Sequence, residues 1–341
     1  MTLLEIIQKT RDGAADFSAV LACQLVEIKE GVTKNGKPFL DISFSDGSAQ
    51  ESIKIWQDSP AYETISGLKV KDCVELEGNF WRNQFGLNID KLQIRKLDET
   101  QRKNLFAGPP ERQKILAQDF ALIEETVAAM RDPRLRLVCQ AYLQQYGERF
   151  RRAAAARDYH HARRGGLLEH VAQMTRAGLA LRAVYTHLNW DLILVGILFH
   201  DCGKLWENDY EAEGFVSPIS SVGELLGHIS IGIELVNKLW RGLETEKEFS
   251  APGSPTREQA REHLLHLIAS HHGQREFGAP VTPRTPEAWM LHYIDNIDAK
   301  MEIMRSTYEE KPQIAPGIFD YRRPLEGHAV EPLAAWKPAG A

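Results

Sequence analysis

The chain has 341 residues, 43% of them hydrophobic, and a formal net charge of −6 at pH 7. This length admits two domains at roughly 100–200 residues each, and the mild acidity excludes a histone-like polybasic binder while allowing a local basic groove. Cys23, Cys73, Cys139 and Cys202 form no CxxC pair, which excludes a disulfide framework or zinc finger and points to a reducing compartment. No secretory signal opens the sequence, and no apolar run reaches the about 20 residues that span a bilayer. A cytoplasmic protein without membrane contact is therefore expected.

Taken in order, Phe17 to about Arg95 reads as strands. Val20, Ala22, Gln24, Val26 and Ile28 share one face of the first. Asn35-Gly36 is a hairpin signal. FLDISF (Phe39–Phe44) and SIKIW (Ser52–Trp56) alternate with period two. A short helical piece over Ser59–Ser66 precedes a strand from Cys73 to Trp81, and Leu87–Ile94 is the last strand. Five strands with a helical insert after the third predict a small closed or partly closed β-barrel. The stretches VLACQLVEIKE, KNGKPFLDISFSD, ESIKIW and VELEGNFWRNQFGLNI give this region an arrangement that resembles the OB-fold of nucleic-acid-binding domains. Trp56, Phe80, Trp81 and Phe85 are then available to stack on bases, and Lys34, Lys37, Lys54 and Arg82 to meet phosphates. Alternation alone leaves open which aromatics fill the barrel instead.

From Leu97 the pattern breaks, and Gly108-Pro109-Pro110 marks a linker. Helices follow, first over Ile115–Arg131 and Pro133–Tyr146. The segment Arg149–Arg164 carries six arginines against one aspartate, which suits either a polyanionic substrate or a solvated loop. Beyond Tyr308 the chain is rich in proline and glycine and should be extended or partly disordered. Phe319 and Trp336 belong either to a loose tail, the commoner behaviour of termini, or to one that docks on a neighbouring segment or another subunit of a homo-oligomer.

The chemistry sits between these parts. Leu167–Tyr185 has an apolar stripe that turns His170 inward. Leu192–Lys204, LILVGILFHDCGK, is a buried helical run that ends in His200-Asp201, and Lys204 follows Asp201 on the same face. A burial cost of this kind, about 2–7 kcal/mol even for a neutral polar group, calls for a partner such as a cation. A helix opened by a capping box at Ser221–Glu224 carries Leu225, Ile229, Val236 and Leu239, with His228 at its inward edge. The next starts at Thr256, with Gln259 in the box position, and ends in His271 and His272. The last opens with Thr285-Pro286; its inner stripe runs Leu291, Ile294, Asp295, Asp298, Met301. Imidazoles and carboxylates on so many inner faces have one common explanation, a metal site inside a helical bundle. Mixed nitrogen and oxygen donors suit Mn, Fe, Zn or, less well, Mg.

The order His170, His200-Asp201, His228, His271-His272, Asp295, with the phrases GGLLEH and SHHG, resembles the metal-dependent phosphohydrolases named for their His-Asp doublet. With the barrel in front, the chain is similar to 3′-5′ exoribonucleases of the YhaM type. The resemblance implies one ion held by His170, His200, Asp201 and Asp295. It implies a second ion, bridged by Asp201 and held by His228 and His271, with His272 substituting for or joining His271. It makes Asp201 and Lys204 the catalytic pair, Lys204 facing the scissile phosphate. Apart from the resemblance, Asp298 reads as a support behind the ligands or a helix partner, and proximity to His170 in sequence places His161, with its neighbour His160, at the mouth. Lys37, Lys54, Trp56, Trp81, Arg82 and Phe85 would grip single-stranded RNA or DNA.

The expected fold is therefore α+β: an OB-like barrel over 1–96, a linker over 97–114, an all-α HD-type domain over 115–310 and an extended tail over 311–341. The expected activity is divalent-metal-dependent (two ions of Mn, Fe, Co or Mg) 3′-5′ hydrolysis of RNA by an activated hydroxide. Hydrolysis of small or cyclic nucleotides, and nucleic-acid binding without catalysis, are the other two readings.

Overall fold

A computed structural model describes residues 1–11, 16–156, 161–207, 211–215 and 220–336. A first helix, α1 (Leu3–Arg11), packs on five antiparallel strands: β1 (Phe17–Val32), β2 (Pro38–Ser45), β3 (Gln50–Trp56), β4 (Cys73–Asn83) and β5 (Gly86–Lys96), with α2 (Tyr62–Ser66) after the third. The strand order is β3-β2-β1-β4-β5, and β3 also lies against β5, which closes the barrel. This is the topology expected of an OB-fold. The Asn35-Gly36 turn forms as the sequence suggests, with Gly36 at φ +79°, a conformation that glycine adopts without a Cβ penalty.

The core of the barrel takes the odd face of β1, with Ala19, Leu21, Cys23 and Leu25 buried. The even set leaves Val20 45% exposed. Both faces of β1 carry apolar residues, so alternation could not choose between them. Phe80 is fully buried in this core, so the expectation that it stacks on bases is wrong: its ring is barrel filling.

The stretch over 97–114 is not the patternless linker expected. It holds α3 (Glu99–Ala107), closed at its start by a full capping box of Asp98 and Gln101, and α4 (Pro110–Ala128) begins at Pro110, not at Ile115. The helices continue as α5 (Pro133–Arg152), α6 (Gly166–Arg182), α7 (Trp190–Phe199), α8 (Lys204–Glu207), α9 (Ser221–Gly242), α10 (Arg257–Ser270) and α11 (Pro286–Glu310). Every residue of α7 except Asp191 is buried, so this helix is the axis around which α5, α6, α10 and α11 pack. No helix among the described residues is long and apolar enough to cross a membrane.

Two expectations for α9 change. Its cap is Ser220, whose hydroxyl accepts from Gly223 N at 2.9 Å, not Ser221. The helix breaks at Gly227 (φ 65°, ψ 157°), so Leu225 swings out to 81% exposure instead of joining the inner stripe. On α11, Met301 is likewise outside, 61% exposed.

Barrel and helices are joined through the five residues 211–215. Gln24, buried in β1, pairs with this segment by both ends of its amide: Nε2 donates to the Glu213 carbonyl and Oε1 accepts from Phe215 N at 3.0 Å. Arg164, just before α6, donates to the carbonyls of Glu211, Ala212 and Gly214. After α11 a short hairpin forms from β6 (Gln313–Ala315) and β7 (Ile318–Phe319). Phe319 packs its ring edge-on against Tyr308 of its own chain, while Trp336 is 85% exposed.

Candidate metal centre and nucleic-acid groove

Five helices deliver side chains to one point. His170 comes from the first turns of α6, His200 and Asp201 from the end of α7, His228 from α9 just past its break, His271 and His272 from the end of α10, and Asp295 from the middle of α11. Gly203 explains how α9 comes so near. A Cβ there would sit 1.9 Å from the His228 carbonyl, so only glycine lets the two backbones touch.

The ring nitrogens are sorted by their partners. His200 Nδ1 donates to the Ile197 carbonyl (2.9 Å), His271 Nδ1 to Ile268 (2.8 Å) and His272 Nδ1 to Phe277 (2.7 Å). A carbonyl can only accept, so each Nδ1 carries the proton and each Nε2 is left as a lone pair. His170 Nδ1 faces Asp298 Oδ2 at 2.7 Å and His228 Nδ1 faces Glu207 Oε2 at 3.0 Å, which fixes the same tautomer.

The Nε2 atoms then converge. His170 Nε2 lies 3.2 Å from His200 Nε2 and 3.3 Å from Asp295 Oδ1, and His200 Nε2 lies 3.3 Å from Asp201 Oδ2. On the other side of the same carboxylate, Asp201 Oδ1 is 3.4 Å from His228 Nε2 and 3.7 Å from His271 Nε2. Asp201 thus turns one oxygen to each group. His272 joins the His228–His271 side. Lys204 Nζ sits 2.7 Å from Asp201 Oδ2.

This donor set fits a metal. Asp201 Oδ1, His228 Nε2 and His271 Nε2 are buried and have no hydrogen-bond partner, a state that costs about 1–3 kcal/mol for each neutral group. Opposed lone pairs on His170 and His200 repel unless a cation or proton lies between them. Metal binding would satisfy these atoms, and the carboxylates and carbonyls behind the imidazoles are the supports that metal-binding histidines use.

The electrostatics agree. Burial would raise Asp201, yet Lys204 and the surrounding histidines hold it well below the usual carboxylate range. Burial likewise opposes ionisation of Asp295, and the hydrogen bond with His170 and the nearby His200 ring override it downward. His271 is pushed well down by burial and by His272 and His200, so it stays neutral with its lone pair available. Burial would lower His170, but Asp295 and Asp298 bring it up to about 9, so an ion entering there displaces a proton.

His161, expected at the mouth, is instead buried, and its Nε2 lies 3.0 Å from the same Asp298 oxygen that meets His170. His160 lies outside the described residues. Glu207 escaped the sequence reading. Its signal is weak, a carboxylate three residues past Lys204, and nothing in the periodicity ties it to His228.

In the barrel, Lys54, Trp56, Trp81 and Phe85 line one groove of about 970 Å³ along the β3–β5 seam. Lys37 stands over the Trp56 ring at 5.8 Å and pairs with Asp58 at 2.8 Å. Arg82 is not in the groove; it pairs with Glu51.

An HD-domain family profile matches residues 144–300. The chain is 31% identical over 316 residues to the 3′-5′ exoribonuclease YhaM of Oceanobacillus iheyensis, covering 92% of this chain and 91% of the relative. The proteins of the same name from Geobacillus sp. (30% identical, 91% and 89% covered) and Bacillus velezensis (31%, 91% and 91%) match over the same length. The fold and site thus define an HD-domain protein. Within that class, the chain belongs to the YhaM family.

Proposed function

We propose that this chain is a metal-dependent 3′-5′ exoribonuclease whose barrel holds single-stranded RNA while the helical domain cleaves it. The observation that carries the reading is Asp201, with one oxygen turned to each of two buried sets of partnerless or mutually opposed donor atoms. His170, His200, Asp201 and Asp295 would hold one divalent ion; Asp201, His228, His271 and His272 would hold the second. Mixed imidazole and carboxylate donors favour Mn, Fe or Co over Mg. Such ions supply Lewis-acid polarisation of the phosphoryl group and a water of lowered pKa.

The chain's own groups do the rest. Lys204 offers a fixed ammonium beside Asp201, where charge builds on the non-bridging phosphate oxygens. Asp298 and Glu207 keep His170 and His228 in the tautomer that presents Nε2. Along the barrel groove, Trp56, Trp81 and Phe85 stack on bases without reading sequence, and Lys54 and Lys37 meet the backbone.

The test is a 5′-labelled RNA incubated with the full chain and manganese. A ladder that shortens from the 3′ end is expected, together with loss of cleavage but not of RNA binding in Asp201→Ala. Hydrolysis of mononucleotides alone, or full activity in that variant, would overturn the reading.

A further inference from the structure

The helix α11 buries one face against the metal centre and leaves the opposite one bare. Its exposed residues between Trp289 and Met301 are Trp289, Tyr293, Asn296, Ile297, Lys300 and Met301. Four of them recur at every fourth position and form a single stripe, about 18 Å long at the helical rise per residue. Trp289, Tyr293, Ile297 and Met301 are 42%, 54%, 53% and 61% exposed. A contiguous apolar patch of this kind marks a surface that meets something. None of the six residues is acidic, in a chain of net charge −6, and Lys300 supplies the only charge.

The stripe begins beside the metal centre. The Trp289 and Tyr293 rings stack, with centroids 5.7 Å apart and planes 24° from parallel. Both adjoin the His292 ring, at 6.0 and 5.4 Å, and His292 Nδ1 donates to the His271 carbonyl at 2.8 Å. Phe277, whose carbonyl anchors His272, is itself 64% exposed. At the other end of α11 the Glu310 carbonyl accepts from Arg11 of the barrel region. The bare face therefore leads from the His271–His272 corner toward the junction with the barrel.

We propose that this face is a second track for single-stranded RNA, on which bases near the cleaved phosphodiester stack; it rests on the ribonuclease reading above. Every base has a π-face, so a stacked Trp–Tyr pair holds any of them. An exonuclease that must accept each base in turn needs contacts of that kind, with no hydrogen-bond readout. Ile297 and Met301 continue the track with dispersion contacts, and Lys300 meets a phosphate. A second copy of the chain is the other occupant such a face admits. The absence of acidic side chains, the lysine and the aromatic pair beside the metal centre favour a polyanion that carries aromatic rings.

The test is fluorescence anisotropy of a short labelled single-stranded RNA with the full chain in EDTA, so that neither metal nor cleavage enters the readout. Trp289→Ala and Tyr293→Ala should each weaken binding on the order of tenfold, and Trp289→Phe and Tyr293→Phe should restore most of it. Lys300→Glu should weaken binding and reduce its salt dependence by about one contact. Unchanged affinity in the alanine variants overturns the proposal, as does a drop in molar mass by light scattering at constant RNA affinity, which would assign the face to a second copy. Cleavage by the unmutated chain with manganese is scored separately. Ring-dependent binding without cleavage sinks the ribonuclease reading and leaves the track standing; cleavage with ring-independent binding does the reverse.

Discussion

Glu207 and Asp298 offer a way to take the two halves of the metal centre apart. Each accepts from the Nδ1 of one histidine only among the proposed ligands: Glu207 from His228 at 3.0 Å, Asp298 from His170 at 2.7 Å. Removing such a support usually costs 10–100-fold in metal affinity, or about 1.4–2.7 kcal/mol. Glu207→Ala leaves the Nδ1–H of a largely buried imidazole without its acceptor and should reach the upper part of that range. Glu207→Gln keeps a carbonyl at the same reach but loses the charge. A hydrogen bond to a charged group contributes about 1.5–3 kcal/mol against about 1 for a neutral one, so the glutamine variant should lose only about fivefold. Asp298→Asn should weaken the other ion instead, the one that His170 would hold. Titration calorimetry of manganese into metal-stripped protein resolves the two sites. The expected pattern is reciprocal, with each variant weakening one binding step and sparing the other. Equal weakening of both steps by both variants, or of neither, would refute the division at Asp201.

Two more outcomes follow from single residues. Gly227→Ala places a Cβ on backbone at φ 65° and ψ 157°, yet meets no atom within 4 Å, so its cost is conformational, about 1–3 kcal/mol. Chemical denaturation should detect that loss, together with weaker uptake at the His228 side; an unchanged midpoint would mean the break in α9 is not required. Burial would raise Glu302, but Arg305 and Arg163 hold it down to about 2 from 4.5. Its charged form therefore stabilises the fold above about pH 4.5, and that contribution disappears as pH falls toward 2. Glu302→Gln should be less stable at pH 7 and should lose stability less steeply across that window; an identical slope would contradict the assignment.

Much of this molecule is written in local pattern. Alternation in FLDISF and SIKIW and the Asn35-Gly36 turn gave a barrel, because strand period and turn chemistry are short-range. The order of imidazoles and carboxylates was readable for a related reason. His170, His271 and Asp298 share helix faces with leucines and isoleucines, and a polar group on such a face needs a partner wherever the helix packs. The capping box at Thr256 and the Thr285-Pro286 cap likewise announced α10 and α11, while the equally local box at Asp98 was overlooked among the polar residues of α3.

Tertiary structure decided what depends on a partner far along the chain. β1 carries apolar residues on both faces, and only closure of the barrel selected Ala19, Leu21, Cys23 and Leu25 for the core. Leu225 belongs to an apolar stripe in sequence, but the break at Gly227, next to the close approach of α9 to Gly203, turns it outward. Met301 fits the inner spacing of α11, yet the packing of that helix on α6 and α7 leaves it on the outer stripe with Trp289. Glu207 reaches His228 only because α9 packs against α8. Periodicity reports which residues share a face; which face is buried, and which carboxylate meets which imidazole, is set by packing between helices that no local pattern contains.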